Sequence, residues 1–212
     1  ILDKASGQYD LVVVGGGITG AGVFREAVRM GLKTLLVEAR DFAWGTSSRS
    51  SKLIHGGLRY LKEGKLLLTH DAVKQRQRLL REAPGMIEPI DFMMPVFRDR
   101  GPGKHSLRAG LAIYDFMAGE NHHRYYGSEE FARRVPGIAT ADLAGGFRFM
   151  DAQADDARLV LRLIAEATAA GGTALNYTRV ARINRGRTGS VSGVSIEDSE
   201  TGKTREIETQ AV

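Results

Sequence analysis

The composition of this 212-residue chain is typical of a globular protein, with 42% hydrophobic and 26% charged residues, and its length allows one large domain or two small ones. The net charge of +5 favours anionic partners such as phosphorylated ligands or acidic lipid headgroups. Its basic residues are scattered and no nucleic-acid-binding module is recognisable, so nucleic acid is not a predicted partner. The absence of cysteine excludes disulfides, thiolate metal sites and a cysteine nucleophile. With neither a secretory signal nor an apolar run of about 18 residues, a cytoplasmic protein is predicted.

The first elements along the chain are a predicted strand, a glycine-rich turn, a helix and a second strand. The run Tyr9–Val14 ends in four apolar residues, which is typical of a strand buried on both faces. A periodic apolar segment, Ile18–Met30, predicts the crossover helix. The run Lys33–Val37 predicts the second strand. Together they predict a βαβ unit.

The turn between the first strand and the helix matches the pattern G-x-G-x-x-G. Gly15 would allow the tight turn, Gly17 the approach of the backbone to a pyrophosphate, and Gly20 with Gly22 close packing of helix on strand. The exposed amides at the start of the helix would face the phosphates. Glu38, at the end of the second strand, stands where a carboxylate can accept ribose hydroxyl groups. A turn used only for packing would not explain the spacing of Glu38, so the sequence predicts dinucleotide binding.

A polar segment follows at Gly45–Leu61. Its hydroxyls, lysine and paired glycines could line an anion-binding site. Alternatively it is a polar loop before a helix, with Thr46 or Ser47 as the N-cap. The residue types alone leave both interpretations open.

The same segment carries a family resemblance. Residues 46–61, TSSRSSKLIHGGLRYL, closely resemble FAD-dependent glycerol-3-phosphate dehydrogenases of the aerobic, respiratory type. Further similarity lies at Leu111–Phe116, Asp155–Leu161 and Asp198–Thr204. The resemblance implies an α/β fold, a Rossmann-like FAD-binding domain of the glutathione-reductase/D-amino-acid-oxidase type with part of an inserted α+β substrate subdomain.

Downstream patterns predict the remaining elements. Leu66–Arg81 is predicted as a helix with Leu68, Val73, Leu79 and Leu80 in the core and its basic residues, Lys74, Arg76, Arg78 and Arg81, on a solvated face. Lys104–Met117 is predicted as a basic amphipathic helix that faces the core or lies on an anionic membrane surface. His122 and His123 have no further ligands in view, so no metal site is predicted. The other predicted elements are a strand around Phe92–Phe97, a helix at Glu129–Val135, a strand at Gly145–Met150, a helix at Ala157–Ala170 capped by Asp155 or Asp156, and strands at Thr173–Arg182, Val191–Asp198 and Thr204–Val212.

The predicted organisation follows from these elements and the resemblance. Residues 1–85 and 151–212 are expected to form the FAD-binding domain, and residues 86–150 a segment of the substrate subdomain. The last residues, Gln210–Val212, look like the start of a buried strand, so we expect the chain to be part of a longer protein.

The resemblance implies particular site residues. The pyrophosphate is expected at Gly15–Gly20, the adenosine ribose at Glu38, and the adenine against the backbone of Val180. Arg59 is expected to bind the substrate phosphate, although a structural salt bridge is the alternative, and Tyr60 is a second substrate contact. His55 is expected either as a proton acceptor or stacked beside the flavin. The full set of predicted cofactor-binding residues is Gly15, Gly16, Gly17, Gly20, Glu38, Ala39, Ser47, Ser48, Lys52, Leu53, His55, Gly56, Gly57 and Val180.

The implied activity is oxidation of sn-glycerol 3-phosphate to dihydroxyacetone phosphate by hydride transfer to FAD, with electrons passed to a quinone. Peripheral attachment to the cytoplasmic membrane and a homodimer are compatible with it. Three alternatives stay open: an oxidase that uses O₂, an amine or amino-acid oxidase that shares the nucleotide fold, and a truncated fragment without catalysis.

Overall fold

The computed structural model describes residues 1–212, except for the side chain of Lys62, and divides into two compact units. The first unit comprises residues 1–51 and 155–212, and the second comprises residues 52–154. Short 3₁₀ helices lie at Leu2–Lys4 and Thr46–Ser48. In chain order the other elements are β1 (Tyr9–Val14), α1 (Ile18–Arg29), β2 (Thr34–Val37), β3 (Leu53–Ile54), α2 (Leu58–Lys62), α3 (Leu66–Glu82), β4 (Ile87–Phe97), α4 (Lys104–Ala118), β5 (Arg124–Gly127), α5 (Ser128–Arg134), β6 (Leu143–Ala154), α6 (Asp156–Ala169), β7 (Thr173–Leu175), β8 (Thr178–Arg185), β9 (Val191–Asp198) and β10 (Thr204–Ala211).

The first unit is built on a mixed six-stranded sheet in the spatial order β7-β2-β1-β10-β9-β8. β1 runs parallel to both of its neighbours, β2 and β10, and β2 is also parallel to β7. β8, β9 and β10 form an antiparallel meander. Parallel neighbours need a crossover connection, and α1 supplies the one between β1 and β2. The predicted βαβ unit and the Rossmann-like fold class are confirmed.

Both faces of the central strands are covered. Val12 and Leu35 belong to one apolar cluster, whereas Val13 and Leu36 belong to another that includes residues of α1 and α6. This alternation is expected for strands buried on both faces. The prediction fails at Val14, which is 54% exposed at the end of β1.

The predicted strand Thr173–Arg182 is in fact two strands, so that prediction was wrong. β7 pairs in parallel with β2, whereas β8 pairs antiparallel with β9, and the chain must turn between these two partners. Tyr177 makes the turn with a left-handed φ of +49°, and its amide donates to the carbonyl of Arg40 at 3.0 Å.

The segments on either side of this turn agree with prediction in type. Asp155 caps α6, since its side chain accepts a hydrogen bond from the Arg158 amide at 3.1 Å. β9 and β10 lie within their predicted ranges. The final residues, Gln210–Val212, are exposed, and β10 pairs with β1 at Thr209 and Ala211.

The second unit is organised around the long strand β6. β4 pairs along one edge of it, while β5 and β3 pair with successive parts of the other edge. α2, α3 and α4 pack against one another. Residues 52–85 fall in the second unit, whereas the sequence analysis placed the domain boundary at residue 85.

One face of α3 is buried in a way that the sequence analysis did not anticipate. Arg76 was predicted on a solvated face but is fully buried, whereas the other three basic residues of that predicted face are exposed. Thr69, Val73 and Arg76 form the buried face, with the four- and three-residue spacing of helix neighbours. Leu68 was predicted in the core but is 47% exposed, since it lies off this face.

α4 faces the core of the second unit, which is the first of the two arrangements that the sequence predicted for it. Leu111 and Tyr114 are each 1% exposed, whereas Phe116 on the opposite side is 87% exposed. No helix in the described part of the chain is both long and apolar enough to cross a bilayer.

The two small residues of α1 that were predicted to permit close packing differ sharply. A Cβ added at Gly20 would lie 1.9 Å from the carbonyl oxygen of Gly15, so a side chain there would force the turn apart. A Cβ at Gly22 would meet nothing within 4 Å, so the predicted packing role of Gly22 was wrong.

This contrast predicts opposite effects on stability. Gly20→Ala should lower the free energy of unfolding by about 1–3 kcal/mol or more, because the backbone at Gly15 must move. Gly22→Ala should raise it by about 0.5–1 kcal/mol, because a helix-interior glycine is replaced without a clash. Urea unfolding followed by circular dichroism measures both, and equal effects of the two substitutions would contradict the assignment.

Candidate functional site

The glycine-rich turn has the geometry of a phosphate cradle. Gly15 has φ +106°, which other residues rarely adopt, and a Cβ there would point into open space. Its amide donates to the carbonyl of Val37 at 2.8 Å, which holds the end of β1 beside the end of β2. Gly17 is the N-cap of α1, and its own lack of a side chain leaves the helix without a local cap. The first amides of a helix have no partners within the helix, so this end can receive an anion.

Ser47 supplies the missing cap from a distant part of the chain. Its Oγ accepts a hydrogen bond from the Ile18 amide at 2.9 Å, across 29 residues. A Cβ at Gly17 would come within 3.0 Å of the same oxygen, so the glycine makes room for it. Ser47 was predicted either to line the cofactor site or to cap its own helix. The structure shows it capping α1 rather than its own helix, and its place in the cofactor site stays a prediction.

Glu38 is fixed at the end of β2 by its own carboxylate. Oε2 accepts from the Gly16 amide and Oε1 accepts from the Arg40 amide, each at 2.8 Å. A carboxylate can accept about four hydrogen bonds, so these two leave capacity for ligand hydroxyls. The arrangement ties Glu38 directly to the glycine turn. Ala39, beside it, is exposed.

A cationic stack that the sequence analysis missed lies in the next loop. The guanidinium groups of Arg40 and Arg49 lie 3.8 and 4.0 Å from the ring centroid of Trp44, which is 42% exposed. The preceding residue, Ala43, has a left-handed φ of +60° and donates its amide to the Gly16 carbonyl at 2.9 Å. The loop is therefore joined to the glycine turn. The available signal was the spacing of two arginines around a lone tryptophan.

Two further predicted cofactor-binding residues of the first unit, Ser48 and Val180, are distant in sequence from the glycine-rich turn. Ser48 is half-buried, and its Oγ makes only long contacts, 3.4–3.5 Å, with carbonyls of its own loop. Val180 lies in β8, opposite Ile196 of β9, and packs against the apolar cluster that contains Val12.

The second unit holds the other predicted residues along one short stretch. Lys52 has a left-handed φ of +57°, and its carbonyl accepts from the Ala154 amide. Leu53 begins β3 and is half-buried. His55 is exposed, with its ring centroid 6.2 Å from that of Tyr60.

Arg59 lies near the start of α2, where its side chain is 85% exposed. Its Nε is 3.3 Å from Oε1 of Glu63, one helical turn on. The neighbouring Lys65, followed by Arg59 itself, lowers the pKa of the Glu63 carboxyl, which stays ionised beside the guanidinium. An exposed pair of this kind contributes little to stability, so the salt-bridge interpretation gives Arg59 no strong structural role.

The two glycines before α2 are both closely packed. A Cβ at Gly56 would lie 2.1 Å from the hydroxyl oxygen of Tyr114. Gly57 has φ +79° and serves as the N-cap of α2. The amide of Gly56 donates to Oδ1 of Asp151 at 3.0 Å.

Asp151 belongs to a buried polar cluster that also escaped the sequence analysis. Nη1 of Arg76 donates to Oδ1 of Asp151 and to the hydroxyl of Tyr114, both at 3.1 Å, and Nη2 contacts Glu120 at 3.4 Å. Burial, then the charge of Asp151, raises the pKa of the Tyr114 hydroxyl far above its ordinary value. In the sequence, burial of Arg76 was indicated by its helical spacing from Val73.

The histidine pair of the second unit has a structural arrangement. Nδ1 of His123 lies 2.7 Å from Oδ2 of Asp115, which also accepts the amides of His122 and His123. Within the described residues, no three His, Cys, Asp or Glu side chains are grouped so as to hold a metal ion.

The first unit thus fits a dinucleotide by its own geometry. Gly15 leaves space where a side chain would stand, the start of α1 presents amides, and Glu38 lies at the adjoining strand end. A mixed Rossmann-like sheet carrying this turn defines a nucleotide-binding oxidoreductase class. Residues 10–212 match the family described as FAD dependent oxidoreductase, and the chain belongs to that family.

Individual proteins of known name are similar to this chain. Alpha-glycerophosphate oxidase of Enterococcus casseliflavus is 35% identical over 218 residues, which cover 100% of this chain and 36% of that protein. Aerobic glycerol-3-phosphate dehydrogenase of Staphylococcus epidermidis is 36% identical over 208 residues, covering 97% of this chain and 37% of that protein. A solved structure, glycerol-3-phosphate dehydrogenase of Bacillus halodurans complexed with FAD, matches with a TM-score of 0.75 and 31% identity over 99% of this chain and 34% of that one. The chain therefore spans about a third of the length of these relatives.

Removal of the distant cap should be measurable. Ser47→Ala should lower the free energy of unfolding by about 1 kcal/mol, because the Ile18 amide loses its acceptor. It should also speed hydrogen exchange at Ile18. Ser48→Ala is the matched control, since its hydroxyl makes only long contacts within the loop. If both alanine variants lose the same stability, Ser47 is not the cap of α1.

Proposed function

We propose that this protein binds FAD and oxidises sn-glycerol 3-phosphate to dihydroxyacetone phosphate. The observation that carries the proposal is the glycine turn at the start of α1, with Glu38 bonded to Gly16 at its side. The names of the similar proteins supply the substrate, and the chain's membership of the family supplies the cofactor class.

In the first unit, different residues are proposed to bind the pyrophosphate and the ribose of the cofactor. Gly15–Gly20 would receive the pyrophosphate at the helix start, where the backbone amides and the helix dipole favour negative charge. Glu38 would accept the ribose hydroxyls with the lone pairs not used by Gly16 and Arg40. Ala39 and the backbone of Val180 complete the proposed adenosine contacts, and Ser47 and Ser48 the proposed lining of the loop. FAD supplies a two-electron hydride acceptor when bound.

In the second unit, the short helix α2 and the turn before it carry the proposed substrate residues. Arg59 is exposed and pairs with the adjacent carboxylate of Glu63, so its guanidinium is available to bind a phosphate dianion bidentately. Tyr60 would offer its hydroxyl to the same ligand. His55 would accept the proton of the C2 hydroxyl, a role that imidazole side chains commonly have in acid–base catalysis. Lys52, Leu53, Gly56 and Gly57 are the proposed cofactor contacts of this unit.

The electron acceptor is proposed to be a quinone at a membrane surface. The protein is proposed to be cytoplasmic and to form a homodimer. The similar proteins include both dehydrogenases and an oxidase, so O₂ is the second candidate. Stopped-flow reoxidation of the reduced flavin distinguishes them. A quinone analogue should reoxidise it faster than air-saturated buffer, and the reverse order would favour the oxidase.

The full-length protein should show the activity spectroscopically. Anaerobic addition of glycerol 3-phosphate should bleach the visible flavin band, because hydride transfer reduces the ring. Glycerol and inorganic phosphate are the controls, and neither should bleach it. A flavin spectrum unchanged by glycerol 3-phosphate would disprove the proposed substrate, and a preparation without flavin after reconstitution would disprove the cofactor.

The role of Arg59 has its own test. Arg59→Ala should raise KM for glycerol 3-phosphate about 10- to 100-fold, the loss expected when a charged hydrogen bond to phosphate is removed. The KM of Arg59→Lys should lie between those of the wild type and Arg59→Ala, since a lysine keeps the charge but cannot form two parallel hydrogen bonds. Glu63→Gln is the matched control, because it removes the charge that pairs with Arg59 and with Lys65 and should leave KM equal or lower. An unchanged KM in Arg59→Ala would assign Arg59 to its pair with Glu63 alone.

A further inference from the structure

The second unit buries a cation that the proposed chemistry does not use. Arg76 is 0% exposed, and its Nη1 donates to Asp151 and Tyr114, each at 3.1 Å, and to the Met150 carbonyl at 3.2 Å. Its Nη2 lies 3.4 Å from Oε2 of Glu120. All of these partners belong to the second unit.

Such a cluster is a poor device for stability alone. Moving a guanidinium and a carboxylate out of water is costly, and apolar residues of similar volume often stabilise a fold equally well or better. Nε of Arg76 is moreover buried without a hydrogen-bond partner among the described residues, which adds to the cost. What the cluster can supply is a fixed geometry, since a guanidinium donates in a rigid planar fork.

The part of the chain that the cluster holds is the turn between β3 and α2. Oδ1 of Asp151, which receives Nη1 of Arg76, also accepts the Gly56 amide at 3.0 Å. The hydroxyl of Tyr114 donates to Oδ2 of the same carboxylate at 3.3 Å and stands where a Cβ of Gly56 would be. One peptide unit is therefore fixed by a buried hydrogen bond and by direct packing.

We propose that Arg76 is a positioning residue that acts through Asp151 on this turn, residues 55–57, and so sets the start of α2 with Arg59 and Tyr60. The inference rests on the proposed function for its consequence in the reaction, and on the contacts above for the anchoring itself. Arg76 holds the carboxyl group of Asp151 in one orientation, Asp151 holds the Gly56 amide, and Gly57 then begins the helix.

The test compares three variants in the full-length flavoprotein. Arg76→Met removes the charge and keeps the volume, Arg76→Lys keeps the charge without the fork, and Arg78→Met is the matched control. Arg78 is on the same helix, but its side chain is 61% exposed and pairs with Glu82. Two quantities are measured: hydrogen exchange of the peptide that spans residues 53–61, and KM and kcat for glycerol 3-phosphate.

For Arg76→Met we expect exchange in residues 53–61 to rise about tenfold while the peptides of β1 and β2 keep their protection. KM should rise about tenfold and kcat change less, because displacing a binding group by a fraction of an ångström weakens binding throughout the reaction. Arg76→Lys should recover part of both effects, and Arg78→Met should match the wild type. A general loss of protection with no selective rise in KM would mean a merely structural role and would overturn the proposal.

The exchange measurement separates this proposal from the proposed function. If the wild type does not act on glycerol 3-phosphate, that function fails, and exchange at residues 53–61 alone decides whether Arg76 anchors the turn. Should Arg76→Met not fold, Tyr114→Phe removes one hydroxyl from the same cluster and should produce a smaller effect of the same kind. Wild-type exchange and KM in a folded Arg76 variant would refute the anchoring.

Discussion

The first unit depends on one close approach between backbones, that of Gly20 to the carbonyl of Gly15. Because no side chain separates them, α1 can begin directly at the carboxyl end of β1, and the amides of its first turn emerge beside the end of β2. The hydrogen bonds of Gly15 to Val37 and of Gly16 to Glu38 then join the turn to the second strand. The start of the helix and the carboxylate of Glu38 are brought together by the constraint that also packs the helix on the sheet.

Much of this arrangement could be predicted because its determinants are local. The strand, turn and helix of the βαβ unit are encoded by apolar periodicity and by glycines within thirty residues, and Asp155 caps the helix that follows it. Predictions failed where a residue depends on a distant partner. Ser47 caps a helix 29 residues earlier, and nothing in its own loop indicates this.

Two other failures have the same physical origin. A basic residue on an amphipathic helix normally faces water, and Arg76 departs from this because distant acceptors, among them Asp151 75 residues later, lie within reach of its guanidinium. The run from Thr173 was predicted as one strand, yet its two halves pair with different strands, so the strand must break at Tyr177. Local propensity cannot report which strand lies alongside.

Arg59 and Arg76 show how the environment assigns opposite tasks to one side-chain type. Arg59 is 85% exposed and has an adjacent carboxylate from which it can separate at little cost, so it is free to exchange that partner for a ligand. Arg76 has no exposed surface and four acceptors within 3.4 Å, and pulling its guanidinium away from them would leave buried polar groups unpaired. A guanidinium held in this way cannot bind a passing substrate. It can fix the position of the backbone that carries the exposed Arg59. The hydrogen bond between the Gly56 amide and Asp151 links the two.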